Sequence, residues 1–203
     1  MDAKTCLEKY KRIGVLNFAT VGMDGSPQVR CISAIHYEDN AMYFFTAPGK
    51  TFYDELIFDG RVQILGYTKF KEMIRTSAVA KLVDESECKK WIDIIFDEQP
   101  YLANLYAGEK RYIGVIFEIK DAEIEYFNLG VNPIFRELYT IGNGKINSKG
   151  YEISEKCIGC GQCSEACPQH AIDSGNPYVI NQTHCLHCGA CAKVCPANAV
   201  IKI

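Results

Sequence analysis

Cys157-Ile158-Gly159-Cys160-Gly161-Gln162-Cys163-Ser164-Glu165-Ala166-Cys167-Pro168 decides how the last quarter of this chain folds, and the pattern occurs twice. After a polar spacer it returns as Cys185-Leu186-His187-Cys188-Gly189-Ala190-Cys191-Ala192-Lys193-Val194-Cys195-Pro196. Each run separates four sulfurs by two, two and three residues and closes on proline. Three thiolates so close in sequence can wrap one cubane, because short gaps keep the backbone tight around it; the fourth, on a longer arm, reaches the other cluster. The pattern predicts two [4Fe–4S] clusters, one on Cys157, Cys160, Cys163 and Cys195, the other on Cys185, Cys188, Cys191 and Cys167. Zinc is usually held by cysteine pairs, which leaves the third sulfur of each run unexplained. A disulfide framework belongs to oxidising compartments, and the chain opens without the apolar core of a signal peptide.

The repeat extends past the cysteines, at an offset of 28 residues between Cys157 and Cys185. Pro168-Gln169-His170-Ala171-Ile172 is echoed by Pro196-Ala197-Asn198-Ala199-Val200, and Tyr151-Glu152-Ile153 by Tyr178-Val179-Ile180. Such a repeat implies two pseudo-symmetric halves that pack on each other. Residues 150–203 resemble a bacterial two-cluster ferredoxin domain, and that resemblance implies single-electron transfer. His170, His184 and His187 all lie near the cysteine runs, where a surface role or a hydrogen bond to cluster sulfur is expected of them.

The whole chain has 203 residues, enough for one ordinary domain and a small appended one, with 48% apolar residues to build a core. Its formal net charge of −3 and lack of a basic stripe argue against nucleic acid. No apolar run of bilayer-spanning length appears, so no membrane association is expected. Of the 11 cysteines, the runs leave Cys6, Cys31 and Cys88, scattered thiols that suit a reducing cytoplasm and carry structural roles only.

The first three-quarters reads as an antiparallel meander. A short amphipathic helix opens it. Residues 15–21 form a β-rich run ending at Asp24-Gly25, a hairpin signal, and residues 28–37 return. Residues 41–47 make the third strand, and a helix follows Pro48-Gly49-Lys50-Thr51 with Phe52, Leu56 and Ile57 on one face. Residues 61–67, 72–83 and 112–127 complete six strands, with an amphipathic helix around residues 89–96 that buries Trp91. The expected class is α+β: a closed or partly closed antiparallel barrel followed by the small two-cluster domain. Gly, Asn, Ser and Lys cluster across residues 128–149 as in a linker, interrupted by an apolar segment at 134–140 that suits a strand or packed arm. Domains of 1–148 and 149–203 follow.

One constellation in the barrel carries chemical meaning. Arg30 sits on the second strand, and Lys50-Thr51 heads a helix just after Phe44-Phe45-Thr46. A strand end, a turn and a helix start make an anion site of free N–H groups, to which Lys50 and Arg30 add charge. A nucleotide P-loop is excluded, since it needs glycine where this chain has Phe44, within a parallel βαβ unit. No Ser/His/Asp set, paired carboxylates or second metal motif stands out, so the catalytic residues stay unknown.

Residues 1–127 are similar to the flavin-binding split-barrel family typified by pyridoxamine 5′-phosphate oxidase. The likeness rests on the Asp24-Gly25-Ser26-Pro27 hairpin, the Arg30 strand, and Tyr43-Phe44-Phe45-Thr46 followed by Lys50 and an amphipathic helix. It implies FMN, with Arg30, Lys50 and Thr51 at its phosphate and Ile32, Phe45 and Thr46 along the ribityl chain and ring. It also implies a homodimer. This chain has one Lys where the oxidase has an Arg-Lys pair, and no match to that enzyme's substrate-phosphate residues, which argues against pyridoxamine phosphate as substrate. The expected protein is an iron–sulfur flavoprotein oxidoreductase that draws on a redox protein or small-molecule donor and reduces a small organic substrate. The alternatives are a non-enzymatic electron carrier or sensor, and a barrel holding a deazaflavin or a haem, for which His36 is the only barrel histidine.

Overall fold

The computed structural model describes residues 1–203, which divide into two compact units. One comprises Met1–Thr68, Ile74–Glu125 and Tyr139–Lys145; the other comprises Lys69–Met73, Tyr126–Leu138 and Ile146–Ile203. The units interleave along the chain, where a single break after residue 148 is expected. No helix is long and apolar enough to cross a membrane.

The first unit opens with α1 (Ala3–Ile13), whose Asp2 carboxylate caps the Thr5 N–H at 2.8 Å and whose end turns on Gly14 at φ 79°. In chain order there follow β1 (Leu16–Val21), β2 (Pro27–Ile32), β3 (Ile35–Glu38), β4 (Ala41–Thr46), α2 (Thr51–Phe58), β5 (Arg61–Tyr67), β6 (Glu72–Val79), β7 (Lys81–Leu82), α3 (Glu85–Glu98), β8 (Val115–Ile119), β9 (Ala122–Asn128) and β10 (Phe135–Ile141), of which the start of β6, the end of β9 and the start of β10 belong to the second unit. Two antiparallel sheets result, ordered β10-β9-β6-β5-β1-β2 and β3-β4-β8-β7.

Three of the six expected strands are broken, and the breaks close the barrel. Residues 28–37 divide at Ser33-Ala34, residues 72–83 at Ala80, and residues 112–127 at Lys120-Asp121. At each break the chain leaves one sheet for the other, so these are the corners of a split barrel. The corner backbone is bonded: Phe45 N–H donates to Ala34 O at 3.0 Å and Ala80 N–H to Gly60 O at 2.8 Å. Apolar residues run straight through the first two corners, which is why alternation alone reads each as one strand. The start of the last expected strand is instead a 3₁₀ segment, Gly108–Ile113. The apolar segment at 134–140 does form a strand, β10.

Strand β4 is buried on both faces. Phe44 turns inward, 5.1 Å from the ring of Phe18 and 5.8 Å from that of Phe117. Tyr43 and Phe45 turn outward under α3, where Trp91 stacks on Tyr43 at 3.8 Å. Helix α3 supplies Trp91, Ile92, Ile95 and Phe96 to this layer, the i, i+1, i+4, i+5 stripe of an amphipathic helix. Helix α2 departs from expectation: it buries Phe52, Glu55 and Leu56, while Ile57 is 54% exposed. A carboxylate occupies the expected place of an isoleucine because it has partners inside, described below.

The second unit contains β11 (Tyr151–Ile153), α4 (Gln162–Glu165), β12 (Ile172–Asp173), β13 (Val179–Ile180), α5 (Ala190–Val194) and β14 (Val200–Lys202). The strand before the first cysteine run, β11, pairs antiparallel with the strand after the second, β14. The strand after the first run, β12, pairs with the strand before the second, β13. Each half is therefore hydrogen-bonded to the other rather than to itself.

Candidate functional site

The crossed strand pairing sets the positions of the thiols. Cys167 leads into Ala171 and β12, which is fastened to β13 just before Cys185; Asn181 N–H donates to Ala171 O at 2.8 Å. The mirror contact, Ser154 N–H to Ala199 O at 2.9 Å, ties the stretch after Cys195 to the start of the first run. A single cavity is lined by Cys167, Cys185, Cys188 and Cys191, with the Ile172 and Ile180 side chains at its wall. Those four sulfurs combine three from one run with the fourth from the other. No three His, Cys, Asp or Glu side chains converge on one ion position. The cavity with its four thiols has the donor set that a four-iron cluster requires.

The two runs start their short helices alike. Gly161 (φ 77°) and Gly189 (φ 76°) start the two short helices in left-handed conformation, where a side chain would be strained. A Cβ on Gly189 would also come within 2.7 Å of the Tyr151 hydroxyl. Ala171 N–H donates to Cys167 Sγ at 3.3 Å, and Ala199 N–H to Cys195 Sγ at 3.3 Å. Burial pushes the Cys163, Cys185 and Cys191 thiols up, and neighbouring sulfurs add to the rise, Cys167 and Cys188 acting on Cys185. At Cys195 burial also pushes up, but N–H groups from Ala199, Ala197, Val200 and Asn198 outweigh it and hold the thiol below its ordinary value.

In the barrel, Arg30 and Ile32 stand opposite Phe18 and Leu16 on β1, so all four share the inner face. Arg30 donates to Thr20 Oγ1 at 2.6 Å and to Glu55 Oε2 at 2.7 Å, with its guanidinium 4.6 Å from the Phe52 ring centroid. Thr20 Oγ1 in turn donates to Glu55 Oε2 at 2.5 Å. The Arg30 and Glu55 side chains are 21% and 7% exposed. This places Arg30 against the first turns of α2, the helix headed by Lys50 and Thr51. Lys50 occupies the N-cap position without a side-chain cap bond, and both Lys50 and Thr51 are exposed. Uncapped N–H groups, the helix dipole and one ammonium thus share one end of α2.

Arg30, Lys50 and Thr51 gather around α2, and Thr46, 2% exposed, ends the strand that leads there. Phe45 goes elsewhere: its ring lies 5.3 Å from Phe96 and 5.2 Å from Tyr106, beneath α3. Adjacent strand residues face opposite ways, so Phe45 and Thr46 cannot line one surface with their side chains. Glu55 and Thr20 were the residues that sequence reading missed. The signal for Glu55 was a lone carboxylate inside the apolar stripe Phe52-Leu56, which needs a buried cation. His36 is engaged at both ring nitrogens, Nδ1 with Glu98 and Nε2 with Glu38, each at 3.0 Å. Burial would raise the Glu98 carboxyl, but bonds to His36 and Lys11 outweigh it and lower it.

Two antiparallel sheets that trade strands at three corners, with a helix headed by Lys50 beside them, define a split barrel, here joined to a two-cluster ferredoxin module. Residues 3–120 match the model of the pyridoxamine 5′-phosphate oxidase family, and the chain belongs to that family. Residues 156–199 match the 4Fe-4S dicluster domain. A ferredoxin from Butyribacterium methylotrophicum is 45% identical over 32 residues, which are 16% of this chain and 58% of that ferredoxin. Among solved structures, a nimc/nima family protein from Clostridium acetobutylicum superposes with a TM-score of 0.58 at 22% identity, covering 68% of this chain and 91% of that one. PhzG from Burkholderia lata gives 0.51 at 18%, covering 68% and 90%. A heme binding protein from Mycobacterium smegmatis gives 0.53 at 12%, covering 70% and 57%. At these identities the three show the fold alone.

Proposed function

We propose that this chain is an iron–sulfur flavoprotein oxidoreductase that passes electrons between two [4Fe–4S] clusters and FMN and reduces a small organic substrate. Bound clusters handle single electrons, and a flavin handles two, singly if needed. The observation that carries the reading is the cavity ringed by Cys167, Cys185, Cys188 and Cys191, in the same chain as the family's barrel. Crossed strand pairing supports the crossed ligand sets, with Cys195 completing the site of Cys157, Cys160 and Cys163. In the barrel, Lys50 and the first N–H groups of α2 take the phosphate. Arg30 has its charge already compensated by Glu55, so it orients the phosphate with its remaining donors and adds little net attraction. Ile32 and Thr46 line the flavin with their side chains; Phe45 contributes backbone only. The protein acts in the cytoplasm as a homodimer, supplied by a reduced redox protein or a small-molecule donor.

A pure electron carrier with the same cofactors is the second reading, favoured by the lack of a convergent acid–base pair around Lys50 and Arg30. A haem in the barrel would need an axial ligand, and His36 has both nitrogens committed to carboxylates. Absorption spectra of anaerobically purified protein, with and without candidate substrates, test the set. Flavin bands over broad cubane absorption support both flavin readings, and substrate-dependent flavin reoxidation selects the enzyme. A Soret band overturns FMN.

A further inference from the structure

The two cysteine runs agree in their own geometry and differ in what covers them. Cys157 and Cys185 are both half-buried, Cys160 and Cys188 both exposed, Cys163 and Cys191 both 8% exposed, Cys167 and Cys195 both half-buried. The residues around the first sulfur do not match. Glu155, Lys156, Ile158 and Gly159 are exposed, Ile158 by 68%, whereas their repeat counterparts Thr183, His184, Leu186 and His187 are half-buried.

The cover comes from the start of β10, in the same unit. Ile134 N–H donates to Gln169 Oε1 at 2.9 Å, and Ile134 O accepts from His184 Nδ1 at 2.8 Å. Gln169 lies just after Cys167, and His184 just before Cys185, so one backbone residue is clasped by both arms of the second site. Two residues on, half-buried Arg136 reaches His187 Nδ1 at 3.3 Å and lies 4.4 Å from the Phe127 ring centroid. His187 stands between Cys185 and Cys188, and its backbone N–H donates to Cys185 Sγ at 3.3 Å. It occupies, at φ 56°, the left-handed position held by Gly159 (φ 68°) in the first run. The second loop thus carries a ring that links it to a guanidinium.

We propose that Arg136 makes the site of Cys167, Cys185, Cys188 and Cys191 the preferred seat of the first electron, so that the two clusters titrate at separate potentials. This rests on the cluster reading above. Reduction adds one negative charge, which a nearby cation stabilises. Removing water opposes it, and the residues around Cys185 are more covered than those around Cys157, so the guanidinium under that cover must outweigh the lost hydration. Lys156, the cation beside Cys157, is exposed and screened by water and salt.

The test is a potentiometric titration of the anaerobic holoprotein, with dithionite as reductant and electron paramagnetic resonance as readout. Two one-electron waves are expected in the wild type. Arg136→Gln should lower the higher wave by at least a tenfold change in reduced-to-oxidised ratio, about 59 mV for one electron. Arg136→Lys should retain most of the separation, and Lys156→Gln should leave the higher wave in place. Coincident waves in the wild type overturn the proposal without any variant, as does a separation that Arg136→Gln leaves unchanged. An iron content of about eight per chain keeps failure of the cluster reading distinct.

Discussion

In the cysteine repeats each thiol is placed by its own turn of chain, and two crossed strand pairs, β11 with β14 and β12 with β13, join the halves. In the barrel, Thr20, Arg30 and Glu55 come from β1, β2 and α2, and they satisfy one another. The first arrangement supplies donors for a cluster; the second is a polar network that positions its neighbours. Substitutions in the two regions should therefore fail differently: loss of metal in one, loss of stability or of anion affinity in the other.

The largest effect is expected at Cys195. Cys195→Ala should remove about four of about eight irons per chain and chiefly damage the cluster of Cys157, Cys160 and Cys163. Iron analysis with paramagnetic resonance decides; loss confined to the cluster of Cys185, Cys188 and Cys191 would show that each run ligates alone. In the barrel, Glu55→Gln strands a guanidinium that is only 21% exposed, and should cost about 3 kcal/mol in denaturant unfolding. The double variant Arg30→Met/Glu55→Leu should recover most of that, since replacing both charges removes the uncompensated one. No recovery would mean the network does more than balance charge.

Lys50→Ala spares that network and removes one charge-assisted contact. It should weaken FMN roughly ten- to hundredfold, about 1.5–3 kcal/mol, with both clusters retained. Riboflavin, which lacks the phosphate, should bind wild type and variant equally. The smallest effect is at Glu98, whose carboxyl is held below its ordinary value by His36 and Lys11 against the opposing pull of burial. A lowered carboxyl stabilises the fold above its unfolded pKa of about 4.3, and that contribution disappears as pH falls through the folded value. Glu98→Gln should therefore cost about 1 kcal/mol near neutral pH and progressively less below pH of about 4. Trp91, the only tryptophan, lies 5.6 Å from the His36 ring and reports the unfolding by fluorescence.

The same contrast explains what could be read from residues alone. Cluster ligands lie at fixed short gaps, so the eight cysteines and the repeat were legible before any fold was known. The barrel was legible as a class, because its strands alternate and Asp24-Gly25 turns them. Its corners were not: at Ser33-Ala34 and Ala80 apolar character continues while the chain changes sheet, and no local pattern marks that. Lys50 and Thr51 were legible as a helix start. The Arg30–Glu55 pairing was not, because it joins β2 to α2 across the barrel interior. Arg136 was invisible for the same reason, since only the fold brings it to the loop of His187.

The most direct test of the account is cofactor content. The protein, purified anaerobically and reconstituted with iron, sulfide and FMN, should hold about eight irons per chain and about one FMN, with flavin bands over broad cubane absorption. A full complement of iron with no retained FMN would contradict the flavoprotein reading, and zinc in place of iron would contradict the cluster reading.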